Sequence, residues 1–274
     1  MAETPKHAVI IDDAVNLLKK LPNESIQLII ADPPYNIDIA DWDSYENYVE
    51  WAAKWIQESF RVLKKSGNLV IFGGFQFDNS GRGDLLELVH YIRHSTDFRL
   101  VNVIIWYYKN GITAKRFFSN RHEEIMWFAK SKKYLFNLDE VRIKYDDDTL
   151  ALYKKDKRLN PDNLVKGKNP TNVWEISRLN SNSLERVGHP TQKPEAVIER
   201  IVKSMSRKDD IVLDLFAGSA IALKVCTDLG RYSINCDIDA KTFEYAKQQL
   251  AKSNQRVTDI VDNLEDYIDL LDNL

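Results

Sequence analysis

Ile211-Val212-Leu213-Asp214-Leu215-Phe216-Ala217-Gly218-Ser219-Ala220 decides the fold, together with Tyr232-Ser233-Ile234-Asn235-Cys236-Asp237 downstream. The opening five residues read as a buried strand, short and β-branched. A turn of small residues follows, then a helix from about 220 to 229 closed by Gly230, then a second strand tipped by an acid. Strand, tight turn, helix and acid-tipped strand form the nucleoside-binding half of a doubly wound sheet, where the acid accepts hydrogen bonds from two ribose hydroxyls. Gly218 permits close approach of a ligand to the backbone. The turn is no phosphate loop: it lacks Gly-Lys-Ser/Thr and has one glycine where a dinucleotide fingerprint needs three.

The other half lies near the N-terminus. His7 to Ile11 read as a strand, Ala14 to Leu21 as a helix with Val15, Leu18 and Leu21 on one face, and Ile26 to Ala31 as a second strand. Such a βαβ unit is right-handed and parallel, so Asp12-Asp13 and Asp32 fall at one sheet edge. Asp32-Pro33-Pro34-Tyr35 stands where open sheets bind ligands. The two prolines lack N–H groups and stiffen the turn, leaving carbonyls without a local donor. A carboxylate, a carbonyl and an aromatic ring held there suit a flat ring bearing an amine. Taken alone, the tetrad reads better as a Pro-rich turn capped by Asp.

Between the halves, residues 45–65 have helical spacing ending at Lys64-Lys65 and Gly67, with Trp51, Trp55 and Phe60 assigned to the core. A strand at Leu69–Phe72, a helix over 84–94 and a strand over 100–107 follow. Arg82-Gly83-Asp84 carries no adhesion function at a helix start. His122-Glu123-Glu124-Ile125-Met126 begins like a zinc-protease helix, but Met126 stands where the second histidine belongs, and the segment reads as a strand through Ala129. No metal site is expected.

The 274 residues are enough for a full core, and no apolar run approaches the roughly 20 residues of a membrane span. No signal peptide is apparent, and Cys226 and Cys236 have no metal-ligand company, which fits a reduced, cytoplasmic setting. The net charge of −3 is not that of a global nucleic-acid binder, yet residues 109–186 hold 17 Lys/Arg against 11 Asp/Glu. Within this basic part, periodicity collapses between Asp146 and Arg186. An irregular stretch of that length is functional or disordered, and Lys154, Lys155, Lys157, Arg158, Lys166, Lys168 and Arg178 suit phosphate contacts. A flexible loop with solubilising charge is the alternative.

Periodicity resumes in a helix from Pro194 to Met205. At the C-terminus, Val257, Ile260, Leu264, Tyr267, Leu271 and Leu274 form an a/d seam, expected to dock as one acidic amphipathic helix on the domain or on a second subunit.

Asp32-Pro33-Pro34-Tyr35, then Gly188-His189-Pro190-Thr191-Gln192-Lys193-Pro194, then Phe216-Ala217-Gly218-Ser219, together resemble the β-group amino-methyltransferases of DNA. The resemblance covers roughly residues 7–250. It implies a circularly permuted, mostly parallel, seven-stranded Rossmann-like sheet. The expected parts are a target-base half (1–145), a target-recognition insert (146–186), a cofactor half (187–252) and the tail (253–274). It further implies sequence-specific methylation of double-stranded DNA from S-adenosylmethionine, on adenine N6 of a flipped base, with cytosine N4 or a catalytically weak DNA-binding homologue as alternatives. By the same resemblance, Asp32 and the Pro33 carbonyl take the base amine, Pro34 completes the turn, Tyr35 stacks, and Phe118 to Phe128 form the strand motif beside the base pocket. Asp13-Ala14 meet the cofactor adenine, Lys193 adjoins the methionine moiety, Phe216 to Ser219 line the cofactor with Asp32 nearby, and Asp237 takes the ribose. A homodimer and a cognate restriction endonuclease are implied partners. One departure is Gly218-Ser219-Ala220-Ile221 where the family usually has Gly-Ser-Gly-Thr, which places an extra methyl at the cofactor wall and removes a hydroxyl.

Overall fold

A computed structural model describes residues 7–36, 43–75, 83–111, 113–255 and 260–271, without the side chains of 269–271. Its strands are β1 (His7–Ile11), β2 (Ile26–Ala31), β3 (Leu63–Gly73), β4 (Arg99–Tyr107), β5 (His122–Ala129), β6 (Val173–Glu175), β7 (Ile211–Asp214), β8 (Tyr232–Asp237) and β9 (Ile260–Val261). They form one sheet in the order β6-β4-β5-β3-β2-β7-β8-β1-β9. Seven strands make the expected Rossmann-like core, and the short β6 and β9 extend its two edges. Only β5 runs antiparallel to its neighbours, β3 and β4, among the described strands.

β1, β2, β7 and β8 are almost wholly buried because both sheet faces are covered. On one face, α1 (Ala14–Lys20), α2 (Tyr48–Val62) and α3 (Leu85–Ser95) bury Leu17, Trp55 and Leu88. On the other, α7 (Glu195–Met205) and α8 (Ile221–Leu229) bury Ile201 and Val225, with α4 (Leu138–Val141) against α7 and α9 (Lys241–Ala251) packing Ala246 on Leu223 of α8. Asp84 caps α3 through a capping box with Glu87, which accounts for the Asp of the Arg-Gly-Asp tripeptide; Arg82 lies outside the described residues. α2 stops at Val62, earlier than Lys64-Lys65 and Gly67 had indicated. Those residues belong to β3, whose register with β2 shifts between Ile26 and Leu28.

The chain reverses its winding between β2 and β7. The carboxyl ends of β1, β2, β7 and β8 therefore gather around a topological switch point, with Asp12, Asp32, Asp214 and Asp237 at one edge. β1 is tied to β8 by a buried side-chain chain: His7 Nδ1 lies 2.9 Å from Ser233 Oγ and its Nε2 3.1 Å from Thr227 Oγ1. Burial drives the His7 pKa down to about 4, so the imidazole packs neutral.

The 146–186 insert is more regular than its composition indicated. It carries α5 (Asp147–Tyr153), α6 (Pro161–Lys166) and β6. These helices bury almost nothing, so no periodicity marks them; only Leu164 of α6 is buried. Trp174 of β6 anchors the insert, packed in the core beneath the Arg200 guanidinium, 5.0 Å from the ring centroid.

The tail is not one continuous helix. Ile260 lies in β9 beside β1, and α10 (Leu264–Leu271) follows. Leu264 and Tyr267 are buried in the chain's own core, so these two seam residues dock intramolecularly; Val257 and Leu274 lie outside the described residues.

Candidate active site

A cavity of about 370 Å³ opens at the switch point. Its floor is the turn after β7. Ala217 N–H donates to the Cys236 carbonyl at 2.8 Å, and Thr242 Oγ1 donates to the Gly218 carbonyl at 3.0 Å. Gly218 has φ +44°, and a Cβ there would come within 2.9 Å of the His189 ring. Its N–H donates to Asp237 Oδ2 at 2.7 Å, which locks the β8 acid against the turn. Asp12, Asp13 and Ala14 line one end, where Asp13 also caps α1 by accepting from Val15 N–H at 2.9 Å. Asp214 is buried beneath, and that burial lifts its pKa to about 8, so it is largely a neutral acid at pH 7.

Ala220 adopts the left-handed conformation, φ 55° and ψ 33°. Its methyl is buried with Val9, Leu223 and Ala246 and does not line the cavity. The extra methyl expected at the wall therefore faces the core, while Ile221 does line the cavity. Trp51 is a second correction. Where the aromatic stripe had been assigned to core, Trp55 is core, but Trp51 stacks on Tyr45 at 4.3 Å and both line the cavity.

At the other end stands the Asp32 turn. Tyr48 Oη donates to the Pro34 carbonyl at 2.8 Å and pins the turn to α2. Tyr35 Oη donates to Asp32 Oδ1 at 2.9 Å, and Lys193 Nζ lies 3.0 Å from the same oxygen. Glu123 Oε2 completes the cluster, 3.2 Å from Lys193 Nζ and 3.3 Å from Tyr35 Oη. Oδ1 of Asp32 is thus fully occupied. Neither Asp32 Oδ2 nor the Pro33 carbonyl has a partner among the described residues. Burial raises the Asp32 carboxyl above its ordinary value, and Lys193 opposes that rise. Burial also penalises the Lys193 ammonium, yet Asp32 and Glu123 together hold it above its usual value.

The structure thus directs Lys193 into the clamp, although it also borders the cavity. Glu123 escaped sequence reasoning. Its stretch, Phe118 to Phe128, resembles the family's strand motif beside the base pocket, but nothing there singles out Glu123 itself, and its place depends on the antiparallel register that pairs Gly73 with Glu124. His189 lay within a quoted motif without a role; it covers Gly218, and burial lowers its pKa.

The seven basic residues of the insert are not equivalent. Arg158 forks onto Asp156, Lys166 pairs with Asp139 at 3.0 Å, and Lys168 lies 5.9 Å from the Tyr145 ring centroid. Lys154, Lys155 and Lys157 are exposed and make no ion pair among the described residues. Arg178 sits over the Tyr108 ring at 5.1 Å, near the base of β5 and hence near Glu123. No cluster of His, Cys, Asp and Glu suited to a metal occurs among the described residues. Nor is any described helix long and apolar enough to cross a membrane.

The DNA methylase model of the N6/N4 family matches residues 26–248, which takes in the Asp32 turn, the insert, Lys193 and the Gly218 turn. The chain is an N6/N4-type DNA methylase. This methylase is 36% identical over 248 residues to the type II methyltransferase M.HpaI of Haemophilus parainfluenzae, covering 88% of this chain and 73% of that one. It is 32% identical to the DNA adenine methyltransferase YhdJ of Escherichia coli K12, covering 91% and 88%. Among solved structures, the cytosine-N4-specific PvuII DNA methyltransferase matches the methylase fold with a TM-score of 0.68 at 18% identity, covering 99% and 95%. The M1.HpyAVI–SAM complex matches with 0.59 at 23%, covering 89% and 100%.

Proposed function

We propose that this methylase is a sequence-specific DNA adenine-N6 methyltransferase that uses S-adenosylmethionine. The observation that carries the reading is a pair of acceptors without a partner among the described residues, Asp32 Oδ2 and the Pro33 carbonyl, in the turn whose Asp32 and Pro34 border a cavity of cofactor size. The cavity suits the cofactor chemically. Carboxylates at Asp13 and Asp237 answer the adenine amine and the ribose hydroxyls, Ala14, Phe216, Ala217 and Trp51 offer apolar walls, and Gly218 and Ser219 allow close approach. When bound, the cofactor supplies an electrophilic methyl group on a sulfonium.

The residues do the rest by positioning. An exocyclic amine is a weak nucleophile because its lone pair is conjugated into the ring. Asp32 Oδ2 and the Pro33 carbonyl would each accept one N–H, favouring a pyramidal nitrogen whose lone pair faces the methyl. Pro34 fixes the spacing, Tyr35 offers its ring face, and Asp32 Oδ2 holds the proton that the nitrogen sheds. Lys193 keeps Asp32 ionised for that task. Flipping the base out of the duplex costs a few kcal/mol, and stacking worth about 1–3 kcal/mol per base offsets much of it. Adenine is favoured because cytosine-type members of the family more often carry Ser where Asp32 stands, and because the YhdJ relative is an adenine methyltransferase.

The test is transfer of labelled methyl to duplex DNA, followed by modification-aware sequencing of the product. N6-methyladenine at a defined site is expected. N4-methylcytosine would move the assignment to the cytosine branch, and no transfer to DNA would overturn it. A cognate restriction endonuclease belongs to the same proposal, as does a homodimer, although the buried seam residues Leu264 and Tyr267 lend the dimer no support.

Two expectations attach to this reading. Ala220→Gly trades relief of a left-handed backbone, about 1–2 kcal/mol, against a buried methyl worth about 0.8 kcal/mol. Because that methyl faces the core, calorimetry should give a cofactor Kd within about threefold of wild type. A larger gain in affinity would put the methyl back at the wall. In the insert, replacing Lys154, Lys155 and Lys157 together by Gln should weaken DNA binding and lower the slope of log K against log salt by about 2–3, with cofactor affinity unchanged. An unaltered slope would exclude these lysines from the phosphate contacts.

A further inference from the structure

The turn between β4 and β5 presents Lys115-Arg116-Phe117-Phe118 with both phenylalanines in water: Phe117 is 70% exposed and Phe118 is 98% exposed. Adjacent exposed aromatic rings are costly to keep solvated and mark a contact surface. The turn is a built one. Ala114 N–H donates to Ser119 Oγ at 2.9 Å, and Tyr108 N–H closes its base on the Arg121 carbonyl at 2.8 Å. Residues 113–121 carry three cations, Lys115, Arg116 and Arg121, and no acid. Arg121 Nη1 is buried without a partner among the described residues.

The position of the turn matters as much as its composition. It leaves the sheet at the ligand edge and returns two residues before Glu123, whose carboxylate meets Tyr35 and Lys193 in the clamp. We infer that Phe117 and Phe118 are the wedge that enters the duplex beside the flipped nucleotide, while Lys115, Arg116 and Arg121 hold the flanking phosphates. The inference rests on the DNA-methylating function proposed above. Apolar side chains inserted between base steps are a general means of holding an opened duplex, and the cationic flanks fit a polyanion better than a second copy of a chain whose net charge is −3.

A wedge is needed only while the target base has a partner to leave. The experiment therefore compares Phe117→Ala/Phe118→Ala with wild type on two duplexes that carry the methylated site identified by sequencing. One is fully paired; the other has an abasic nucleotide opposite the target. On the paired duplex the double variant should lose roughly tenfold or more in kcat/KM, in line with the stacking worth of an aromatic ring. On the abasic duplex it should return to within about threefold of wild type, and Phe118→Leu should fall between. Unchanged thermal melting and cofactor binding are expected from side chains this exposed.

Equal losses on both duplexes would make the turn part of the pocket wall and overturn the wedge. So would no loss on either, including the case where the variant only changes the oligomer mass. A wild-type protein that methylates no DNA overturns the proposed function and the wedge together. A wild type that methylates DNA beside an unimpaired double variant overturns the wedge alone.

Discussion

Asp32→Ala should abolish methyl transfer, lowering kcat/KM by about 10²–10³-fold or more, the loss typical when a group that stabilises developing charge is removed. The side chain supplies one of the two acceptors at the β2 edge that have no partner among the described residues. Glu123 is already tied to Lys193 and Tyr35. Stability should hold, because alanine removes a buried carboxylate whose desolvation already opposes its charge. Labelled-methyl transfer on purified protein checks the rate, and circular dichroism checks the fold. Transfer by the variant at the wild-type rate would dismiss Asp32 from the chemistry.

Lys193→Met should produce the second-largest effect, and its signature is in the pH profile. The ammonium pairs with both Asp32 and Glu123, and its side chain is only 10% exposed. Without it, two carboxylates share a desolvated space, and the Asp32 carboxyl rises further because its main opposing influence is gone. Transfer requires the ionised form, so the acid limb of kcat/KM should move to higher pH. Stability should move the opposite way with pH. An acid whose folded pKa is raised binds its proton more tightly folded than unfolded, so the variant loses stability as pH climbs from the ordinary carboxylate value through the raised one. Thermal melts from pH 5 to pH 9 should show a deficit that widens with pH, on the order of 3 kcal/mol where both carboxylates are charged. A wild-type pH profile would mean that Lys193 serves the cofactor end alone.

The elements that strand and helix periodicity control were legible before any coordinates. β1, β2 and β7 are short, mainly apolar runs and β8 a mixed one, each ending at an acid, and the right-handed crossover rule places those acids on one edge. The stretch around Glu123 resembles a motif beside the base pocket, but its partners were out of reach for a physical reason: they are set by β5 running antiparallel between β3 and β4, and a lone strand does not announce its direction. α5 and α6 were missed because a helix that buries no face leaves no apolar period. The tail misled in the other direction, since three-and-four spacing over Ile260, Leu264 and Tyr267 is also satisfied by a short strand followed by a helix. Trp51 had the spacing of a core residue and is one on a single side. The left-handed backbone at Ala220 was hinted at only by the glycine usual there in the family, because alanine seldom adopts that conformation.

The pairing of β1 with β8 also dictates an order of events during synthesis. His7 meets Ser233 and Thr227, and Asp12 N–H bonds the Asp237 carbonyl at 3.0 Å, so one wall of the cavity joins residues made first to residues made more than 200 peptide bonds later. Contacts so distant along the chain close slowly. A growing polypeptide on the ribosome therefore displays its Asp32 turn long before it has a cofactor site. The cofactor wall closes only after the strand ending in Asp237 joins the first and Thr242, later still in the chain, bonds the Gly218 carbonyl.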